Sequence, residues 1–170
     1  MERFDKGPEI ALEWHRAGKG AALATVVETW GSAPRGVGAQ LAISGDGEIE
    51  GSVSGGCVEG AVIVEAIETI ETGTHRVLEF GVSDEDAFAV GLACGGTIRV
   101  LVEPVGAGLS EAVLAELVAA RAGREAVAYE VDMATGAGRI RRDAYPERMR
   151  MDRSGFEEDE ALFVAVHNPP

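Results

Sequence analysis

Ala39-Gln40-Leu41-Ala42-Ile43-Ser44-Gly45-Asp46-Gly47-Glu48-Ile49-Glu50-Gly51-Ser52-Val53 is the stretch that decides the fold class. Two short runs of strand-forming residues flank Gly-Asp-Gly, a tight turn of hairpin type. Strands are therefore predicted over 39–44 and 48–53, and their pairing must be antiparallel. Upstream, residues 21–30 form a near-continuous apolar, β-branched run that reads as a buried strand. Before it, Ile10, Leu12 and Trp14 mark a short amphipathic helix over 8–16, ended by Gly18-Lys19-Gly20. Downstream, a helix is predicted over 58–72, closed by Gly73, with Ile63, Ala66, Ile67 and Ile70 on one face. Strands follow over 75–80 and 97–105, separated by an irregular segment, acidic and then glycine-rich. A helix over 110–122 has Ser110 as its cap, and strands over 125–133 and 161–167 complete the order, with a turn at Ala134-Thr135-Gly136. Interleaved helices and strands give an α/β class: a mixed sheet with flanking helices, in a single domain over 1–170.

Composition narrows the partners. A formal net charge of −14 repels phosphate backbones and anionic bilayers, so neither nucleic acid nor membrane is expected as a partner. The exception is local. Arg139, Arg141, Arg142, Arg148, Arg150 and Arg153 outnumber Asp143, Glu147 and Asp152, and read as a solvated basic face or as an arm for an acidic protein surface. The first residues lack a secretory apolar core and no run is long enough to span a bilayer, which points to the cytoplasm. Cys57 and Cys94 are the only cysteines, and reduced thiols are the default in that compartment. No zinc spacing occurs, and His15, His75 and His167 are scattered.

Both cysteines are wrapped in glycine, in Ser54-Gly55-Gly56-Cys57-Val58-Glu59 and in Cys94-Gly95-Gly96. Glycine leaves backbone open to close approach by a ligand, and a thiol at a helix start favours the thiolate. Amides, a hydroxyl and a thiol at that start suit an oxyanion, a phosphate or a molybdate-like centre. The bland alternative is that both cysteines are small core residues. Glu59 reads as a base or, more simply, as a first-turn acid favoured by the helix dipole. In the earlier loop, Thr29-Trp30-Gly31-Ser32-Ala33-Pro34-Arg35, Arg35 reads as a bidentate clamp for phosphate or as a surface ion pair. Neither a phosphate-binding Gly-Lys-Ser/Thr nor a dinucleotide Gly-x-Gly-x-x-Gly is present.

Three ordered motifs resemble the XdhC/CoxI family of maturation factors for xanthine dehydrogenase and related molybdenum hydroxylases. They are Thr-x-Gly-Ser-x-Pro-Arg-x-x-Gly-Ala from Thr29, Gly-Ser-Val-Ser-Gly-Gly-Cys-Val-Glu from Gly51, and Gly-Leu-x-Cys-Gly-Gly from Gly91, within about residues 24–104. The resemblance implies a cofactor chaperone rather than a catalyst. It would bind molybdenum cofactor (molybdopterin) transiently, support its sulfuration by a cysteine desulfurase, and pass it to the apo-hydroxylase. Site residues carried over are Ser32, Arg35, Ser54, Gly55, Gly56, Cys57, Glu59, Cys94, Gly95 and Gly96, with Cys57 and Cys94 as candidate metal contacts through the cofactor. Longer members continue into a Rossmann-like domain, whereas this sequence closes on Asn168-Pro169-Pro170, so that domain is expected to be absent, or supplied by a separate Rossmann-type subunit. A homo-oligomer is expected to cover the open loops.

Two other classes compete. One is a thiol-dependent sulfurtransferase or redox enzyme with Cys57 or Cys94 as carrier; the other is an interaction subunit with no cofactor site. Both sulfurs are expected to border one cleft with the Ser32–Arg35 loop.

Overall fold

The apolar run at 21–30 forms β1 (Ala21–Trp30), the centre of a five-stranded sheet. The structure, a computed structural model, describes residues 6–30, 37–53, 58–81, 97–142, 154–156 and 162–167. On one side of β1 lie β2 (Gln40–Ser44) and β3 (Ile49–Gly51), the two arms of the predicted hairpin. On the other lie β5 (Thr97–Pro104) and, at the edge, β4 (Arg76–Phe80), giving the order β3-β2-β1-β5-β4. A second sheet has the order β7-β6-β9-β8, from β6 (Val127–Asp132), β7 (Gly138–Arg141), β8 (Ser154–Phe156) and β9 (Leu162–His167). The helices are α1 (Gly7–Arg16), α2 (Glu59–Thr72) and α3 (Glu111–Ala122).

The α/β class with flanking helices is observed. The antiparallel pairing required by the hairpin extends to every named strand pair, and a parallel contact occurs at the isolated bridge Val105–Leu109.

The first sheet is covered on both faces, which is why β1 reads as apolar without alternation. Ala22, Ala24 and Val26 face α2 together with Leu41, Ile43, Val100 and Val102, meeting Val62 and Ala66. Ala21, Leu23 and Val27 face the other way, joining Leu12, Leu101, Leu114, Leu117, Val127 and Val131 in a core that draws on α1, α3 and the second sheet. Pairing of β1 with β5 slips by one residue between Val26, opposite Val100, and Glu28, opposite Arg99. Val27 is the extra residue of a β-bulge. Beyond it, Glu28 lies 3.3 Å from Arg99 in an ion pair.

Three details differ from the sequence reading. The buried stripe of α2 is Val62, Ala66 and Thr69, with Ile63 and Ile70 packing at its margins. Thr69 fits this stripe because its hydroxyl donates to the Ala66 carbonyl at 2.7 Å, which removes the polar cost of burying it. The strand predicted over 48–53 is shorter at both ends, because Ser52 and Val53 turn toward the start of α2. Finally, the arginine-rich stretch contributes β7, and its described arginines serve the chain itself. Arg139 and Arg141 pair with the buried Glu130, while Arg142 holds Glu116 and Glu125. The reading of that stretch as an arm for a partner loses these three residues; Arg148, Arg150 and Arg153 lie outside the described residues.

One buried polar contact joins the two sheets. Glu103 of β5, 1% exposed, accepts a hydrogen bond from the Tyr129 hydroxyl of β6 at 2.7 Å. Burial pushes the Glu103 carboxyl up to about 7, against the opposing effect of that hydrogen bond. Burial, reinforced by the Glu103 charge, raises Tyr129 as well.

Candidate functional site

Glu59 is the sequence-predicted site residue that falls among the described residues. Ser32, Arg35, Ser54, Gly55, Gly56, Cys57, Cys94, Gly95 and Gly96 lie outside them, and so does the expected cleft shared by the two sulfurs. The described strands nevertheless define where each motif is entered and left. β1 ends at Trp30, opposite Thr97 where β5 begins, and β4 ends at Phe80, opposite Ile98. β2 begins at Gln40, opposite Thr25, and β3 ends at Gly51, opposite Leu41. All three motif segments therefore start and finish at one end of the first sheet. That end is stepped: the β1–β5 ribbon runs on past the start of β2, through Val26 to Trp30, by about 17 Å at strand spacing.

Each segment has a closed base. Val26 N–H donates to the Ala39 carbonyl at 2.9 Å, and Gly38 N–H donates back to the Val26 carbonyl at 2.8 Å, so the first motif rejoins β1 at the bulge. The Thr97 hydroxyl donates to the Gly81 carbonyl at 2.8 Å, tying both sides of the third. The second is held by Glu59, the first residue of α2. Its Oε2 accepts from Ser52 Oγ at 2.8 Å and from Val53 N–H at 3.0 Å. Glu59 as a whole is 8% exposed. A first-turn acid favoured by the helix dipole was read from the sequence, and that position is observed; the ties to Ser52 and Val53 were not foreseen. Gly51 just before them has φ +99°, and a Cβ there would overlap the Gln40 carbonyl oxygen.

His75, the histidine that lies between the motifs in sequence, precedes β4 and so lies at the opposite end of that strand from Phe80. Its Nε2–H donates to the Met133 carbonyl at 2.6 Å, and Gly136 packs on its ring, so it joins the β6–β7 turn instead of the motif end. Among the described residues no three His, Cys, Asp or Glu side chains cluster as a metal cage. A bare ion would need such a cage. A cofactor that carries its metal in its own organic ligand asks only for contacts to that ligand.

Comparison with known proteins covers the same region. Residues 14–81 match the model of the XdhC and CoxI family. Over that segment the chain is similar to the XdhC and CoxI family. The match takes in the motifs at Thr29 and Gly51 and ends before the one at Gly91. The molybdenum cofactor insertion chaperone PaoD of Escherichia coli (strain K12) is 44% identical over 91 residues, covering 54% of this chain and 28% of that protein. The uncharacterized protein YqeB of the same organism is 36% identical over 81 residues, covering 48% of this chain and 15% of that protein. The chain thus spans less than a third of the length of these curated relatives. A crystal structure of a xanthine dehydrogenase from Bacillus halodurans superposes with a TM-score of 0.71 at 23% identity, covering 96% of this chain and 53% of that one. That likeness concerns the fold alone. No helix among the described residues is long and apolar enough to cross a membrane.

Proposed function

We propose that the chain is an accessory maturation factor that binds molybdenum cofactor and supports its sulfuration and its insertion into a xanthine dehydrogenase-type molybdenum hydroxylase. The observation that carries this reading is the family match over 14–81, which contains two of the three motifs whose bases close at one end of the sheet. The insertion-chaperone relative at 44% identity supports the same role.

Bound cofactor would supply a molybdenum centre held by dithiolene sulfur together with an anionic phosphate arm. The chain's own part is to receive it. In this reading Cys57, at a helix start, and Cys94 offer thiolate to a soft centre, and Arg35 with Ser32 meets the phosphate. Amides of Ser54, Gly55, Gly56, Gly95 and Gly96 allow the close approach that side chains would block. The proposed partners are the apo-hydroxylase, a cysteine desulfurase, a separate Rossmann-type subunit and a second copy of the chain.

Co-elution of molybdenum cofactor with the purified chain, with and without a Rossmann-type partner, tests the reading. Cys57→Ala is expected to lower retention more than Cys94→Ala. Arg35→Ala is expected to lose about 1.5–3 kcal/mol of binding, the usual worth of a charged hydrogen bond. If Cys57→Ala retains cofactor and still supports maturation of a cognate hydroxylase, the thiol is packing and the role as an interaction subunit gains.

A further inference from the structure

We propose that the outer face of α2, formed by Gly60, Val64, Ile67 and Glu71, is a docking surface for an amphipathic helix of another protein, one with an aliphatic stripe and a lysine or arginine at one end. The surface stands on the geometry of α2 and does not depend on the proposed cofactor role.

These residues follow one another at helical spacing and share one side of α2. The opposite side packs on the first sheet through Val62, Ala66 and Thr69, with Ile63 and Ile70 at its margins. Val64 is 58% exposed, and neither it nor Ile67 joins a core cluster among the described residues. A surface helix needs an apolar stripe on its inner side alone, and one that is apolar on both sides is covered on both.

Gly60 supports this independently. It lies in α2 without the positive φ that calls for glycine elsewhere in the chain, and a Cβ there would meet nothing within 4 Å. Glycine weakens a helix relative to alanine, and no packing among the described residues asks for it here. Bare backbone on an exposed apolar face lets an outside helix come close.

Charge and area select the occupant. The last turn of α2 contains Glu71 and no basic residue, at the end where the helix dipole is also negative. Arg76 is held by Glu65 and Glu68, and Glu71 has no ion pair among the described residues. A cation on the partner meets that end, whereas a second copy, with a formal net charge of −14, brings like charge. From Gly60 to Glu71 the face is about 17 Å long and ~10 Å wide at helix dimensions. That falls far below the ~800 Å² per partner of a stable complex and suits one helix laid along another in a contact made and released.

The test uses the full chain and two sets of synthetic, labelled helical peptides about four turns long. Both sets share a leucine stripe; one ends in lysines and the other in glutamates, and binding is read by fluorescence anisotropy. Lysine-ended peptides should bind about tenfold tighter or more. Gly60→Gln should weaken that binding about tenfold with Tm unchanged or raised, because glutamine is the better helix former. Val64→Ser, at an exposed position, should weaken it about fivefold at unchanged Tm. Glu71→Lys should reverse the preference between the two sets, which damage to the fold cannot do. No preference for lysine-ended peptides would overturn the proposal, and so would binding that survives Gly60→Gln and Val64→Ser. A homodimer in light scattering that Val64→Ser dissolves would overturn it too, since the face would then belong to a second copy.

Discussion

Replacing Glu103 by glutamine should make the protein more stable in neutral and alkaline solution and leave it little changed in acid. Glu103 sits in the core between the two sheets, and burial raises its carboxyl from 4.5 to about 7. In the unfolded chain the group ionises near its ordinary value, so between those limits the native state binds more protons than the unfolded state. Native stability therefore falls as pH rises through that window: the favourable contribution is complete below about 4.5 and lost above about 7. At 1.36 kcal/mol per pH unit the gap corresponds to about 3 kcal/mol. Glutamine carries no ionisation penalty, and its carbonyl still accepts from the Tyr129 hydroxyl. Urea unfolding of Glu103→Gln should thus show a gain approaching 3 kcal/mol at about pH 8 and almost none at about pH 4.5. In a chain of this length the alkaline gain corresponds to a Tm rise of about 6–12 °C. An effect of the same size at both pH values, or a net loss at the higher one, would refute the reasoning.

Three further substitutions test local geometry by thermal or urea unfolding. Gly51→Ala combines φ +99° with overlap onto the Gln40 carbonyl, and should lose about 2 kcal/mol or more. Ser110→Ala removes the oxygen that accepts from Val113 N–H at 3.1 Å at the start of α3, and should lose about 1 kcal/mol. Arg124, just past the end of α3, is the non-glycine residue with φ +58°, and Arg124→Gly should gain about 0.5–1 kcal/mol by relieving it.

What the sequence made legible was local. The span of β1, the Gly45-Asp46-Gly47 turn and the Ser110 cap follow from residue types within a few positions of one another, and all are observed. The stripe of α2 was misread because isoleucines were counted as core, whereas the angular position of Thr69 and its bond to Ala66 put it inside. β7 and β8 carry little apolar signal: Arg139 and Arg141 became strand residues through Glu130, a partner on another strand that no short window contains. The division into two sheets depends on pairings such as Val127 with His167, separated by a long stretch of chain. At the site, Glu59 was singled out for its place at a helix start. Its ties to Ser52 and Val53 run backward along the chain, outside any capping pattern. The thiols of the motifs and the glycines beside them were legible as types alone, and they fall outside the described residues.

The slip at Val27 has a consequence for how this region tolerates change in length. On one side of it the residues of β1 alternate in step with β5; on the other they are out of phase by one, so that Glu28 meets Arg99 instead of entering the layer under α2. Deleting Val27 would remove the bulge and leave Glu28 opposite Arg99, whereas pairing β1 with β5 without the slip would put Glu28 opposite Ile98, a fully buried position. Chain length here is fixed by parity. A single residue added or removed between Glu28 and Trp30, with no further bulge to absorb it, would reverse the facing of the strand beyond it, whereas a matched pair would keep that facing. Natural variants of the ribbon beyond Glu28 should accordingly differ in length by even numbers or carry a further bulge, a pattern that sequence comparison across relatives can check without any measurement on the protein.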